Sequence, residues 1–330
     1  MDGDGAAWCW GWNDVGQLGD GTTQERYSPV RVAGLPAVKA IALGEGITCA
    51  LTPTGDAYCW GVWAQNTIGV VTPPVPTLTP TLIRGRHAFT SITAGYFFAC
   101  GLDAAGAAWC WGNNEFGQLG TGDTILTTTP RAVAFHQPLT AISAGLDHVC
   151  GLTAAGAAYC WGRNNIGQLG IGRYSDSAET TPVAVAGGLA FTSISGGDWY
   201  TCALTAAGKA YCWGDSDAGR LGNGSGIGGY NTPQTVLDDH TFTAIAAGNQ
   251  RTCAVDTASR TWCWGIVRDN GAGTYAAWTI MVAYVGLPIR AVPGLTFTKL
   301  SGGATTCGLS TDHGVYCWGT SDRGPLGNGP

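Results

Sequence analysis

Residues 142–170 read ISAGLDHVCGLTAAGAAYCWGRNNIGQLG. The apolar segments of this stretch are short, rich in β-branched and aromatic residues, and bounded by Gly, Asn and Asp, which is typical of strands joined by tight turns. Cys150 and Cys160 stand on either side of a turn at Gly156. Because a left-handed glycine closes a three-residue hairpin loop, we expect an antiparallel hairpin with the two cysteines directly opposite each other.

The same unit recurs along the whole chain. The tripeptide Cys-Trp-Gly occurs at intervals of about 50 to 54 residues, a period typical of propeller blades and solenoid units. Its seven copies begin at Cys9, Cys59, Cys110, Cys160, Cys212, Cys263 and Cys317. Ser259 and His313 replace the turn glycine in the last two hairpins, where we expect a more strained or differently built turn.

The repeat unit resembles that of the regulator of chromosome condensation family. It reads Ile-x-Ala-Gly, Cys-x-Leu, Gly, Tyr-Cys-Trp-Gly and Gly-Gln-Leu-Gly, and the resemblance covers nearly the whole chain. It implies an all-β fold, a seven-bladed β-propeller with four-stranded antiparallel blades. The Cys-Trp-Gly repeats suggest a bacterial exported type of the family. A linear solenoid of β units is the alternative that the periodicity leaves open.

We expect one propeller domain over residues 1–330, with six complete units over about residues 9–317. The chain starts within a hairpin, so Cys9 has no cysteine ten positions before it. We therefore expect an incomplete seventh blade that is split between the two ends. The alternative is a ring of six blades with a spare strand. On the first view, a segment before Met1 would carry the missing strand and an export signal.

The other twelve cysteines indicate one disulfide per unit, because cross-strand neighbours lie about 4.5 to 5.5 Å apart, close to the separation that a disulfide needs. The predicted pairs are Cys49–Cys59, Cys100–Cys110, Cys150–Cys160, Cys202–Cys212, Cys253–Cys263 and Cys307–Cys317. Disulfides imply an extracellular, periplasmic or cell-surface location. The alternative is reduced cysteines that act as small core residues. The spacing is too wide for zinc knuckles, so we expect no metal site.

The composition excludes several classes of protein. A hydrophobic fraction of 45% with 12% charged residues excludes a disordered chain. The net charge of -6 leaves no basic stripe for nucleic acid. The longest apolar run, 276–289, is shorter than the roughly 18 to 20 residues of a membrane-spanning helix.

The sequence lacks the motifs of common enzymes, namely the nucleophile elbow, the phosphate-binding loop, the zinc-protease motif and the dinucleotide fingerprint. We therefore expect a non-enzymatic protein without a cofactor.

Positions that vary between units in a common loop are candidates for recognition. The three residues after the constant glycine form such a loop at one end of a propeller: 45–47, 96–98, 146–148, 198–200, 249–251 and 303–305. Aromatic and Arg side chains are enriched at interface hot spots. The predicted partner-binding residues are Tyr96, Phe97, Phe98, Asp147, His148, Asp198, Trp199, Tyr200, Gln250 and Arg251. The alternative is that Phe98, Tyr200 and their equivalents fill the space between blades.

A second variable set follows the Cys-Trp-Gly tripeptides, at an end of the propeller that the sequence does not assign. It includes Trp12, Trp63, Asn113, Arg163, Asp215 and Arg268. The leading functional hypothesis is an exported binding protein that presents a loop face to a protein partner, as secreted bacterial members of the resembling family do. The alternatives are a guanine-nucleotide exchange factor for a small GTPase and a glycan-binding lectin, since aromatic loops also stack on sugars.

Overall fold

The computed structural model describes residues 1–62, 76–85, 87–267, 283–290, 294–303, 305–319 and 326. Apart from one short 3-10 helix, Asp217–Gly219, the regular elements of these residues are β-strands. The strands are β1 (Trp8–Gly11), β2 (Arg26–Arg31), β3 (Ala40–Leu43), β4 (Ile47–Leu51), β5 (Ala57–Gly61), β6 (Thr77–Leu82), β7 (Phe89–Ala94), β8 (Phe98–Asp103), β9 (Ala108–Gly112), β10 (Thr127–Ala132), β11 (Leu139–Ala144), β12 (His148–Thr153), β13 (Ala158–Asn164), β14 (Ser175–Ala184), β15 (Phe191–Gly196), β16 (Tyr200–Thr205), β17 (Ala210–Asp215), β18 (Gly229–Thr235), β19 (Phe242–Ala247), β20 (Arg251–Asp256), β21 (Thr261–Val267), β22 (Ala283–Arg290), β23 (Phe297–Ser301), β24 (Thr305–Ser310) and β25 (Val315–Gly319).

These strands form a β-propeller of antiparallel sheets. Five blades have four strands in chain order, namely β3–β6, β7–β10, β11–β14, β15–β18 and β19–β22, and the described residues of the sixth form β23–β25. The first strand of each blade lies beside the first strand of the next, from β3 through to β23. The blades are therefore arranged around an axis, with their first strands innermost, as in a propeller.

The prediction of seven blades is wrong, because the described residues form six. The first Cys-Trp-Gly tripeptide lies on β1, which within the described part of the chain pairs with β2 alone. The expected seventh blade, split between the two ends of the chain, would need two inner strands beside β1, and the described residues supply none. The pair β1–β2 packs against the first blade, where Cys9 and Leu18 share an apolar cluster with Trp60.

The hairpins are built as the sequence predicts. In the first blade the N–H of Thr52 donates to the carbonyl of Asp56 (3.0 Å), and Gly55 between them has a φ of +92°. Ser259 and His313 hold the same left-handed conformation with φ of +60° and +68°. A side chain is disfavoured there, so these two turns carry the strain that was expected.

The cysteines pair as predicted. All six disulfides join the second and third strands of a blade, with a Cα–Cα distance of 4.1 Å. Cys9 is a buried free thiol. Each bridge therefore fixes the register of its own hairpin.

The core lies between the blades and is formed largely by the tryptophans of the Cys-Trp-Gly tripeptides. Trp60, Trp111, Trp161, Trp213 and Trp264 are fully buried. The indole N–H of Trp161 donates to the carbonyl of Gln118 in the preceding blade (3.0 Å). The Gly-Gln-Leu-Gly loop of the second blade therefore joins it to the third, and the equivalent loops of the third and fourth blades lie against the tryptophans of the blades that follow them.

Candidate functional site

A glycine precedes each variable loop, at a point where the backbones of neighbouring blades approach each other closely. A Cβ atom added to Gly95 would lie 2.4 Å from the carbonyl oxygen of Gly145, and one added to Gly145 would lie 2.4 Å from that of Gly197. The N–H of Leu146 donates to the carbonyl of Asp198 in the next blade (3.2 Å). Any side chain at these glycines would meet backbone, which explains why glycine recurs there.

The variable loops consequently form one continuous series around the axis, at the end where the first strand of each blade joins the second. We call this surface the loop rim. It comprises residues 45–47, 96–98, 146–148, 198–200, 249–251, Gly303 and Thr305, whereas Ala304 lies outside the described residues.

In the first five blades, the third residue of the loop fills the junction between two blades. The side chains of Ile47, Phe98, His148 and Tyr200 are fully buried, and Arg251 is 5% exposed. The alternative reading, in which these residues are structural, is therefore favoured for Phe98, His148, Tyr200 and Arg251. The exposed part of the predicted partner-binding set is smaller than the sequence suggested.

Tyr200 joins the fourth blade to the fifth through its hydroxyl. This oxygen lies 2.8 Å from the carbonyl of Arg251, to which it donates, and it accepts from the N–H of Gly248 (3.1 Å). Burial is the main cause that raises the pKa of Tyr200 to about 12. The hydroxyl therefore stays protonated and keeps its donor role at neutral pH.

His148 makes the equivalent junction between the third and fourth blades. Its Nε2 lies 2.9 Å from Oγ1 of Thr201, and that hydroxyl donates to the carbonyl of Gln168 (3.0 Å). Nε2 is therefore the donor in this pair and carries the ring proton. Burial lowers the pKa of His148 to about 3, so the ring is neutral at neutral pH.

The second residue of each loop is more varied in its exposure. Phe97 is buried, and its ring would lie 2.4 Å from a Cβ added to Gly46 of the preceding loop. The ring of Tyr96 packs against it in a tilted arrangement, with a ring-centre distance of 4.0 Å, and remains partly exposed. Trp199 is half-buried and Gln250 is exposed. Trp199 is thus the largest partly exposed side chain at this position of the loops.

Arg163 holds Trp199 in place from the neighbouring blade. Its guanidinium carbon lies 4.8 Å from the centre of the Trp199 ring and 4.4 Å from the centre of the Phe116 ring. Nη1 of Arg163 pairs with Oδ2 of Asp147 at 3.4 Å. Cation–π contacts of this kind contribute about 0.5–2 kcal/mol each. Sequence reasoning missed Phe116, because its place beside a propeller loop has no signature in the repeat.

The second variable set lies at the same end as the loop rim. The N–H of Asn113 donates to the carbonyl of Phe97 (2.9 Å), and the N–H of Asp215 donates to that of Trp199 (3.0 Å). Trp63 and Arg268 of this set lie outside the described residues. The structure therefore brings together two sets that the sequence could only treat separately.

The loop rim also carries carboxylates with altered acidity. Burial raises the pKa of Asp147 to about 6, against the opposing effect of Arg163. Burial, followed by the charge of Glu45, raises the pKa of Asp198 to about 6.

Among the described residues no group of three or more His, Cys, Asp or Glu side chains is placed to hold a metal ion. None of the described helices is long and apolar enough to cross a membrane.

The fold and the loop rim define a β-propeller of Cys-Trp-Gly repeats whose variable positions meet on one face. The RCC1-like domain matches residues 1–277, and the chain belongs to this family. The predicted resemblance to the regulator of chromosome condensation family is thereby confirmed.

Curated relatives from Arabidopsis thaliana are similar over most of the chain. The ultraviolet-B receptor UVR8 is 27% identical over 265 residues, which cover 78% of this chain and 60% of that protein. The mitochondrial RCC1 domain-containing protein RUG3 is 28% identical over 280 residues, which cover 82% and 52%. The chain thus spans between half and two thirds of the length of these relatives.

Solved structures share the fold. Human WBSCR16 aligns with a TM-score of 0.83 at 18% identity, covering 98% of this chain and 91% of that one. Yeast RCC1 (Prp20) bound to Kap60 aligns with a TM-score of 0.81 at 20% identity, covering 98% and 80%. At 18% and 20% identity, these similarities show a shared fold and nothing about a shared function.

Proposed function

We propose that this protein is a non-enzymatic binding protein that presents the loop rim to a protein partner. The observation that carries the proposal is the placement of Trp199, a half-buried aromatic side chain held by Arg163 on a variable loop. Tryptophan and arginine are the residues most enriched at interface hot spots, and partly exposed rings that are already ordered lose little entropy on binding.

What the relatives bind supports a protein partner. A yeast RCC1 (Prp20) structure holds Kap60, and Prp20p from Saccharomyces cerevisiae is described with its binding to Gsp1p and histones. Kap60, Gsp1p and histones are partners of the yeast protein. For this chain they favour a protein ligand.

We further propose that the protein is exported and acts outside the reducing cytosol, as a bacterial exported type of the family would. Six disulfides of uniform placement support this location, because the glutathione and thioredoxin systems keep cytosolic thiols reduced. Catalysis is no part of the proposal, since the sequence contains none of the catalytic motifs sought.

The test is affinity capture from envelope and secreted fractions of the organism that makes the protein. We expect a protein partner that the wild type captures, that Trp199→Ala loses, and that the control Leu82→Ala keeps. Leu82 is 49% exposed on the outer strand β6, away from the loop rim.

Two results would contradict the proposal in different ways. Capture of a small GTPase together with faster nucleotide release would favour the exchange-factor alternative. Binding on a glycan array that Trp199→Ala abolishes, without any protein capture that depends on Trp199, would favour the lectin alternative.

A further inference from the structure

Carboxylates from three different blades lie on the loop rim around the axis. Glu45 and Asp198 directly follow the axial glycine of their loops, in the first and fourth blades, and Asp147 is the second residue of the loop between them in the third blade. Burial is the main cause that raises the pKa of Asp198; the charge of Glu45 raises it further, that of Arg220 opposes this, and that of Asp147 adds to it. This part of the rim therefore brings three carboxylates together.

Two arginines of the same face are already paired with aspartates. Arg163 pairs with Asp147 at 3.4 Å, and Arg220 pairs with Asp215 at 3.0 Å. In the described part of the chain, neither Glu45 nor Asp198 has an ion pair of its own. Their negative charges consequently remain uncompensated by a direct partner.

Asp147 provides a second and independent indication of a ligand. Its side chain is 5% exposed, and only Oδ2 contacts Arg163. Oδ1 is buried and has no hydrogen-bond partner among the described residues. A buried carboxylate oxygen without a donor costs free energy, and a cation placed above it would lower that cost.

We propose that the loop rim recognises a basic protein segment, with a lysine or arginine side chain of that segment received between Glu45 and Asp198 and its alkyl stem packed on Trp199. This inference rests on the proposed function of the loop rim. Long basic side chains carry an apolar stem that packs on aromatic rings while the charged end reaches a carboxylate. Negative potential at the docking surface also accelerates the approach of a basic partner.

The experiment uses a random peptide library displayed on phage and selected against the immobilised full chain at low ionic strength. The affinities of the selected peptides are then measured for the wild type, for Trp199→Ala and for the double variant Glu45→Gln/Asp198→Asn. The matched control is Asp56→Asn/Asp239→Asn, which changes the net charge equally at two exposed positions on the opposite end of the blades. Thermal unfolding of each variant establishes that it is folded.

We expect selected peptides that are enriched in Lys and Arg and whose binding needs Trp199. The double variant at Glu45 and Asp198 should weaken them by about tenfold or more, the control variant should leave them unchanged, and added salt should weaken them further. Peptides that need Trp199 but carry no basic residue, or that bind the double variant as well as the wild type, would overturn this inference and leave the proposed function standing. A selection without any peptide that depends on Trp199 would overturn both.

Discussion

The guanidinium of Arg163 lies over the ring of Trp199 across the junction between the third and fourth blades, at 4.8 Å from the ring centre. The same guanidinium also contacts Phe116 and the carboxylate of Asp147. Residues from three consecutive blades therefore order one aromatic side chain on the loop rim before any partner is bound. Such preorganisation reduces the entropy that a partner must overcome on binding.

The first prediction concerns this pair. Trp199→Ala should weaken partner binding by roughly 2 kcal/mol or more, because truncation removes the aromatic contact itself. Arg163→Ala should weaken it by about 1 kcal/mol, because the ring remains but is no longer held. Isothermal titration calorimetry with the captured partner or a selected peptide measures both. Equal affinities for both variants and the wild type would assign Trp199 to packing alone.

The second prediction concerns the cysteines. The chain has thirteen, of which Cys9 is free. Thiol titration in denaturant should therefore detect one thiol per chain without reductant and thirteen after reduction. The count without reductant decides between the two states of the cysteines. Thirteen reactive thiols without reductant would show that the protein has no disulfides, and the proposal of export would lose its support. Protein recovered from its natural compartment, rather than refolded in air, is the material for this measurement.

The third prediction concerns acid stability. Burial lowers the pKa of His148 to about 3, whereas a histidine in the unfolded chain titrates near 6.5. Between these values the unfolded chain binds a proton that the folded protein does not. The contribution of His148 is thus complete above about pH 6.5 and is lost as pH falls, by up to about 1.4 kcal/mol per pH unit. Urea unfolding at several pH values measures it.

His148→Phe is the comparison for this measurement, because Phe98 occupies the equivalent position in the second blade. The variant should lose less stability than the wild type between pH 6.5 and pH 4. Asp147 and Asp198 act in the opposite direction, since their folded pKa values of about 6 favour the folded state as pH falls towards 4. Both proteins share that effect, so it cancels in the difference. Parallel pH profiles would show that the imidazole is not excluded from water.

The fourth prediction concerns the axial glycines. A Cβ on Gly145 would lie 2.4 Å from the carbonyl oxygen of Gly197 and 2.2 Å from the ring of His148. Gly145→Ala should therefore destabilise the protein by about 1–3 kcal/mol through overpacking. Gly226→Ala is the control, because a Cβ there meets nothing within 4 Å. Chemical denaturation compares the two. A loss at Gly145 no larger than at Gly226 would mean that the blades can separate at low cost.

Local features of the fold were predictable from the sequence, because the contacts that produce them are close in the chain. The turn at Gly55 and the pairing of Cys49 with Cys59 depend on about ten residues and on hairpin geometry. The number of blades was not predictable in this way. Cys9 lies on a strand like the other tripeptides, but whether a strand belongs to a blade depends on which strands pair with it.

The candidate site was only partly predictable. Variation between repeats identified Asp198 and Trp199 on the loop rim, but it treated the buried Tyr200 in the same way. Exposure depends on how deeply a loop sits between two blades, and the repeat pattern does not contain that information. Phe116 and Arg163 lie almost 50 positions apart in the chain, in adjacent blades. No local sequence pattern could therefore predict their contact.

The sequence by itself determined the repeat, the strand hairpins, the partners of twelve cysteines and the constant glycines, since each follows from short-range geometry repeated along the chain. Only the tertiary structure decided that there are six blades, which loop residues are buried, and that Arg163 lies on the same face as Trp199. The physical reason is that blade number and side-chain burial are set by packing between blades, where residues about 50 positions apart come into contact, as His148 and Thr201 do.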